Sequence, residues 1–122
     1  MRRQIVAVVE DDPGMRQSIE RLLRAYEFEP ALFTSAEAFL DRAAASTVNC
    51  LILDIHLDGM SGIELRRELA ARGSDLPVIF MSAIDDDITR GQALEAGCVA
   101  FFRKPFPARH LIAAVNKAVA GA

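Results

Sequence analysis

Residues 50–58 read CLILDIHLD, and this stretch decides the fold. The residues from Cys50 to Leu53 are all apolar, which is typical of a short strand covered on both faces of a parallel sheet. Asp54 follows at once, and the next residues up to Gly62 have no regular pattern. A carboxylate at the end of a buried strand is costly unless something binds or neutralises it. Asp54 is therefore the first candidate for a functional residue.

Similar apolar runs recur along the chain and predict further strands. They are IVAVV (5–9), ALF (31–33), PVIFM (77–81) and VAFF (99–102). Helical patterns lie between them, for example a stripe of Met15, Ile19, Leu22, Leu23 and Tyr26 that begins after Asp12 as N-cap and Pro13 in the first turn. Five strands alternating with five helices predict an α/β fold, a doubly wound parallel sheet with helices on both faces.

The order of the strands follows from one proline. Pro30 lies in the second strand segment, and proline is confined to sheet edges or strand starts. An edge position for this strand agrees with the order 2-1-3-4-5 of flavodoxin-like folds. We expect residues 1–122 to form a single domain of this kind.

Composition limits the classes of function. The 122 residues are 52% hydrophobic and 25% charged, with a net charge of -3 that gives no basic field for nucleic acid. No apolar run approaches the roughly 20 residues of a membrane span, so we expect no membrane as a partner. Arg66, Arg67 and Arg72 are interpreted as the solvated face of a helix, and Cys50 and Cys98 as buried free thiols in a reducing cytoplasm.

Acidic side chains follow the first and third predicted strands. Glu10 and Asp11 come after the first strand, and Asp54 closes the third. Ligands of doubly wound sheets bind beyond the carboxyl ends of the strands at this reversal of strand order. Two carboxylates 4 Å apart repel by about 4 kcal/mol at an effective dielectric constant of 20, which favours an intervening cation. Hard oxygen ligands predict Mg²⁺ or Mn²⁺, and the absence of a His or Cys cluster argues against zinc.

Two further polar residues belong to the same edge. Ser82 ends the fourth predicted strand, and Lys104 lies in FRKPF after the fifth. A metal, a hydroxyl and an ammonium around one aspartate suit phosphoryl oxygens, because Lys104 neutralises charge and Ser82 donates a hydrogen bond. Asp54 then acts as a carboxylate nucleophile.

In this order the residues resemble those of a response-regulator receiver domain of two-component signalling, over essentially the whole chain. The resemblance implies that Asp54 is the phosphorylation site and takes the phosphoryl group from a histidine kinase, a phosphotransfer protein or a small phosphodonor. It implies that Asp11 and Asp54 bind Mg²⁺ directly, with Glu10 as the other member of the acidic pair. The backbone carbonyl of His56 is then the third protein ligand.

The resemblance also implies a switch. Ser82 contacts the phosphoryl group and moves on activation, while Phe101 turns inward with it. Lys104 pairs with a phosphoryl oxygen. The side chains of His56 and Ile84 line the approach of water and tune the lifetime of the phosphoryl group.

The loop after the acceptor departs from the family pattern. Receiver domains commonly read D-x-x-M-P-x-M-x-G there, whereas this chain reads DIHLDGMSG, with Leu57 for methionine and Asp58 for proline. Met60 and Gly62 match the pattern. The resemblance further implies a cis peptide bond before Pro105.

Three other interpretations use the same residues. A phosphatase of the haloacid-dehalogenase type needs a second acid two residues after the nucleophile, where His56 stands. A nucleotide or flavin binder needs a glycine-rich phosphate loop after the first strand, where EDDPG stands. A degenerate receiver needs a broken acidic set. A signalling switch that turns over no separate substrate, and so is not an enzyme in that sense, is preferred.

The output is predicted by analogy alone. FFRKPF and the helix after it resemble the receivers of transcriptional regulators, so we expect DNA to be reached only through an effector domain absent from this chain. A stand-alone receiver acting through protein–protein contacts is the alternative. The fourth helix, fifth strand and fifth helix form the face on which a homodimer is expected.

Overall fold

A computed structural model of the protein describes residues 3–42, 47–84 and 86–121. Strands and helices alternate along the chain, as the sequence predicts. They are β1 (Ile5–Val9), α1 (Pro13–Ala25), β2 (Glu29–Phe33), α2 (Ala36–Asp41), β3 (Cys50–Asp54), α3 (Gly62–Ala71), β4 (Val78–Ser82), α4 (Asp87–Ala96), β5 (Ala100–Arg103) and α5 (Ala108–Ala120).

The five strands form one parallel sheet in the order β2-β1-β3-β4-β5, which confirms the predicted topology. Pro30 lies in β2, at the edge of the sheet, opposite Val6 of β1. Its missing N–H costs least there, because one side of an edge strand has no neighbour to accept a hydrogen bond. The registers align the carboxyl ends of β1, β3 and β4, so that the residues ending these strands lie along one edge.

Apolar side chains cover both faces of the sheet. On one face, Phe39 of α2, Leu65 of α3 and Ala93 of α4 pack with alternate residues of the strands. On the other face, Leu23 of α1 and Leu111 of α5 pack with the intervening strand residues. β3 and β4 are buried along their whole length, which explains their continuous apolar sequence.

The ends of α1 and α4 follow from capping. The Asp12 carboxylate accepts a hydrogen bond from the N–H of Met15 at 2.7 Å, which confirms the predicted N-cap. Tyr26, predicted to continue the apolar stripe of α1, instead caps its carboxyl end and is exposed. Asp86 caps α4 by accepting from the N–H of Thr89. The sequence has aspartates at 85–87, which suit the N-terminus of a helix, and Asp85 lies outside the described residues.

One predicted surface residue is half-buried. Arg67 and Arg72 are exposed as expected, but Arg66 extends from α3 to the end of α4, where its Nε donates to the carbonyl oxygen of Gly97 at 3.0 Å. The prediction of a solvated Arg66 is therefore wrong, because α4 packs over that side of α3. Cys50 is a buried free thiol as predicted, whereas Cys98 is only partly buried.

Candidate functional site

The carboxyl edge of the sheet carries an unusual concentration of buried polar groups. Among the described residues, four polar or charged side chains are buried, and Glu10, Asp54 and Ser82 are three of them. Glu10 follows β1, while Asp54 and Ser82 are the last residues of β3 and β4. Burial of unpaired polar groups is costly, so this arrangement needs compensating partners nearby.

Lys104 supplies one of these partners. Its Nζ lies 2.6 Å from Oε1 of Glu10 and 3.4 Å from Oδ2 of Asp54. Its backbone N–H donates to the carbonyl oxygen of Ser82 at 2.8 Å, which fixes the segment after β5 against the end of β4. The peptide bond between Lys104 and Pro105 is cis, as expected.

Three acids meet at one point of this edge. Each of Glu10, Asp11 and Asp54 offers a carboxylate oxygen, and these oxygens lie within 4.8 Å of one another. Glu10 and Asp54 are buried, whereas Asp11 is exposed, so the cluster opens to solvent on one side. The donors are all hard oxygens with room for water, which fits Mg²⁺ or Mn²⁺.

The environment changes the proton affinity of two of these groups. Burial raises the pKa of Glu10 from 4.5 to about 7, and the neighbouring Asp54 adds to the rise, although the hydrogen bond from Lys104 opposes it. For Lys104, burial acts to lower the pKa, but the hydrogen bond to Glu10 and the charge of Asp54 outweigh it and raise the pKa. Lys104 therefore stays charged, and the acids keep a cation beside them.

This shift leads to an expected pH dependence of stability in EDTA. Because the folded pKa of Glu10 is raised from 4.5 to about 7, the folded state holds its proton more tightly than the unfolded state. Its contribution is fully present below the unfolded pKa and is lost as pH rises through the folded pKa, a total loss of about 3 kcal/mol. Denaturant titrations across this window measure the slope, and Glu10→Gln should flatten it. A wild-type slope no more negative than that of the variant would contradict the assignment.

The Ser82 hydroxyl is held by the loop that follows it. Its Oγ accepts a hydrogen bond from the N–H of Ile84 at 2.9 Å. Phe101 in β5 is partly buried and packs against the core on the α3 and α4 side of the sheet. The guanidinium carbon of Arg90 lies 4.6 Å from the centroid of the Phe101 ring, within the range of a cation–π contact. Ser82 and Phe101 thus each have a partner that a movement of the loop or of α4 would change.

The loop after Asp54 returns closely to the end of β3. The N–H of Gly62 donates to the carbonyl oxygen of Ile55 at 2.9 Å, and Ser61 and Glu64 form a capping box that starts α3. A Cβ on Gly62 would lie 2.3 Å from the carbonyl oxygen of Asp54. Only glycine permits this approach, so Gly62 helps to set the position of the acceptor backbone.

Gly62→Ala is therefore expected to destabilise the protein and to displace Asp54. The added methyl group meets backbone atoms that cannot rotate away, and overpacking of this kind costs about 1–3 kcal/mol. Denaturant unfolding checks the loss. Gly91→Ala, in α4 where an added Cβ meets nothing within 4 Å, is the matched control. Equal stability of the two variants would contradict the close packing.

The remaining predicted residues follow the ends of two strands. The side chains of His56 and Ile84 are exposed, on the segments that follow β3 and β4. Asp58 is also exposed, and its backbone N–H donates to Oδ2 of Asp11 at 3.4 Å. The structure thus brings the predicted acids and Lys104 together, and Ser82 joins them through its hydrogen bond with the Lys104 backbone. His56 and Ile84 lie two residues after Asp54 and Ser82, with exposed side chains.

Two helices also contact segments of the site in ways that the sequence patterns do not predict. Nη1 of Arg16 in α1 donates to the carbonyl oxygen of Glu10 at 2.8 Å. Oε2 of Glu37 in α2 accepts a hydrogen bond from the N–H of Met60 at 2.9 Å. Neither is visible in a local pattern, because each joins a helix to a backbone group of a different segment.

Comparison with known proteins agrees with this geometry. The sequence matches the response regulator receiver domain family over residues 6–116. It is 37% identical over 115 residues to the transcriptional regulatory protein TdiR of Thauera aromatica, covering 94% of this chain and 51% of TdiR. The chain spans about half the length of the curated relatives it matches.

Solved structures give the same result. A response regulator receiver protein from Burkholderia phymatum superposes with a TM-score of 0.84 at 39% identity, covering 97% of this chain and 96% of that one. FixJ-N superposes with a TM-score of 0.88 at 32% identity, covering 100% of this chain and 98% of that one. The five-stranded parallel sheet in the order β2-β1-β3-β4-β5, with helices on both faces, defines a flavodoxin-like α/β protein. Within that class, this chain belongs to the response regulator receiver domain family.

Membership of the family sets the general role. Receiver domains are signalling switches that interact with histidine kinases or phosphotransfer proteins, and several relatives of this chain are transcriptional regulators.

Among the described helices, none is long and apolar enough to cross a membrane.

Proposed function

We propose that this chain is switched by phosphorylation of Asp54, which takes its phosphoryl group from a histidine kinase, a phosphotransfer protein or a small phosphodonor. The observation that carries the proposal is the buried Asp54 carboxylate, 3.4 Å from the Lys104 ammonium and clustered with Glu10 and Asp11. Residues 1–122 form one receiver domain in this proposal. The protein modifies only itself and turns over no separate substrate.

Transfer is a substitution at phosphorus. An oxygen of Asp54 attacks the phosphorus atom, and the P–N bond of the donor phosphohistidine, or the P–O bond of an acyl phosphate, breaks. The leaving imidazole or carboxylate takes the electron pair, and an acyl phosphate forms on Asp54. Because Asp54 is nearly covered, few waters compete with the donor for the phosphoryl group.

The acidic cluster has the donors to hold Mg²⁺, or Mn²⁺ in its place. Asp11, Asp54 and the backbone carbonyl of His56 are the proposed ligands, with Glu10 as the other acid of the set. When bound, the ion neutralises negative charge on the phosphoryl oxygens.

Lys104 and Ser82 complete the site. The Lys104 ammonium exchanges its contact with Oδ2 of Asp54 for a phosphoryl oxygen, and it retains Glu10 as a second partner. The Ser82 hydroxyl turns from the N–H of Ile84 to donate to another phosphoryl oxygen. The side chains of His56 and Ile84 flank this position and tune how fast water removes the group.

The switch follows from the movement of Ser82. When its hydroxyl leaves the N–H of Ile84, the loop around residues 83–87, of which Asp85 is outside the described residues, moves toward Asp54. Phe101 then turns inward, and its contact with Arg90 changes. Structures with and without beryllofluoride test this step. An unchanged Ser82 loop and Phe101 rotamer would contradict it.

The output face in this proposal is formed by α4, β5 and α5. Ile88 and Leu94 of α4 are 74% and 62% exposed, which is compatible with a homodimer on this face. By similarity to relatives such as TdiR, the natural setting is a cytoplasmic transcriptional regulator that contacts DNA through a separate effector domain.

Incubation with acetyl phosphate and Mg²⁺, followed by intact-mass measurement, tests the proposed function. One added phosphoryl group that is absent in EDTA supports it. Beryllofluoride titration on the same sample distinguishes rapid loss of the group from an inactive site. No added mass together with no beryllofluoride binding would contradict the proposal and favour a degenerate receiver.

A further inference from the structure

The loop between β3 and α3 lacks one restraint that receiver domains commonly have. This loop contains His56, whose carbonyl is a proposed metal ligand. Where receiver domains commonly have a proline, this chain has Asp58, and aspartate does not fix its own backbone angle φ as proline does. Contacts from other parts of the protein can therefore add to the hydrogen bond between the Gly62 N–H and the Ile55 carbonyl in fixing the position of the His56 carbonyl.

Glu37 provides such a contact from outside the loop. It lies in the first turn of α2, and its Oε2 accepts a hydrogen bond from the N–H of Met60 at 2.9 Å. Gly59, the residue before Met60, has φ of +76°, and a Cβ on it would lie 2.6 Å from the same carboxylate oxygen. A glycine is therefore needed at position 59 for two reasons: the backbone turns there with a positive φ, and a side chain would block the approach of Glu37.

The charge state of Glu37 suits this contact. The N–H of Met60 lowers the pKa of the Glu37 carboxyl, so the group is a carboxylate at neutral pH. Hydrogen bonds from N–H groups to carboxylates are stronger than those to neutral acceptors. Glu37 thus holds the loop at Met60, which is four residues from His56.

A second contact joins the same loop to the acidic cluster. The N–H of Asp58 donates to Oδ2 of Asp11 at 3.4 Å. A proline at this position has no N–H, so this contact exists only because the chain departs from the family pattern. The Asp11 and Glu37 contacts lie on the two sides of Gly59, and together they fix the segment that follows His56.

We propose that Glu37 is a positioning residue for phosphoryl transfer: its carboxylate holds the N–H of Met60 and so keeps the His56 carbonyl and Asp11 in the arrangement that binds the metal. This role rests on the function proposed above for Asp54. Glu37 acts on the metal site through the Met60 N–H, so its loss lowers metal affinity. The chemical step is unchanged once the metal is bound.

The test compares Glu37→Ala, Glu37→Gln and Glu95→Ala with the wild type. Glu95 is an exposed glutamate of α4 and serves as the matched control. Phosphorylation by acetyl phosphate is followed over a range of Mg²⁺ concentrations, and hydrogen exchange of the Met60 amide is measured in metal-free protein. Glu37→Gln keeps an oxygen that accepts a hydrogen bond and removes the charge.

We expect Glu37→Ala to raise the Mg²⁺ concentration for half-maximal phosphorylation about fivefold, the loss expected for one charge-assisted hydrogen bond at an exposed position. Its rate at saturating Mg²⁺ stays within about twofold of wild type, and its Met60 amide exchanges faster. Glu37→Gln recovers part of the effect, and Glu95→Ala has none.

Three results would overturn the role of Glu37. They are a wild-type Mg²⁺ requirement in Glu37→Ala, an equally protected Met60 amide, or an equal loss of rate at every Mg²⁺ concentration, which indicates a general structural defect. Failure of the proposed function is recognised separately, because the wild type itself then takes up no phosphoryl group at any Mg²⁺ concentration. That result would remove both proposals.

Discussion

Asp54→Asn is expected to abolish uptake of a phosphoryl group from acetyl phosphate. The substitution keeps the shape of the side chain but replaces the nucleophilic carboxylate with an amide, so the acyl phosphate cannot form. The fold should be retained, because one negative charge is removed from a buried cluster in which Glu10 still pairs with Lys104 at 2.6 Å. Intact mass after incubation with acetyl phosphate and Mg²⁺ measures the loss.

Asp58→Asn is the matched control for this variant. Asp58 is an acid four residues after Asp54, in the loop between β3 and α3; its side chain is exposed, and its backbone N–H contacts Asp11. It should therefore take up one phosphoryl group as the wild type does. Full uptake by Asp54→Asn would contradict the assignment of the acceptor, whereas loss in both variants would indicate that the loop, and not the acceptor, has been damaged.

Lys104→Met is expected to have the second largest effect, and it acts on both stability and rate. Methionine retains much of the length of the side chain without its charge. Glu10, which is fully buried, then lies beside Asp54 without a cation. At neutral pH in EDTA we expect a loss of about 2 kcal/mol in the free energy of unfolding, and Mg²⁺ should recover part of it.

The rate of phosphorylation should fall about 100-fold in this variant at saturating Mg²⁺, because one preorganised charge on the phosphoryl oxygens is lost. Lys117→Met, at an exposed lysine of α5, is the control for a change of charge alone. Denaturant titration and the time course of mass increase measure the two effects. A variant with wild-type stability in EDTA and a wild-type rate would contradict the role of Lys104.

The central strands are predictable because they are buried on both faces. The runs at 5–9 and 50–54 coincide with β1 and β3, since each residue of such a strand meets apolar neighbours. Pro30 places β2 at the edge through its missing N–H. The residue at which a helix ends is harder to predict from its apolar stripe. Tyr26 continues the apolar stripe in sequence, but α1 has already ended, and its side chain is exposed.

The members of the site are also predictable, because residues that end parallel strands share one edge. Their pairings are not. The sequence places Lys104 near Asp54, yet the shorter contact in this state is with Glu10, since that carboxylate is the more deeply buried. Glu37 has the local pattern of an ordinary acid in a first helical turn, and only the packing of α2 beside the loop brings it to Met60. The prediction for Arg66 is wrong because it also depends on the packing of two helices, α3 and α4.

The most direct test of the central claim is to identify the acceptor chemically. After incubation with acetyl phosphate and Mg²⁺, borohydride reduction converts an aspartyl phosphate to homoserine, and peptide sequencing by mass spectrometry locates the change. We predict homoserine at position 54 and nowhere else, with none formed in EDTA. Stable phosphorylation of another side chain, or reduction at a different aspartate, would contradict the account.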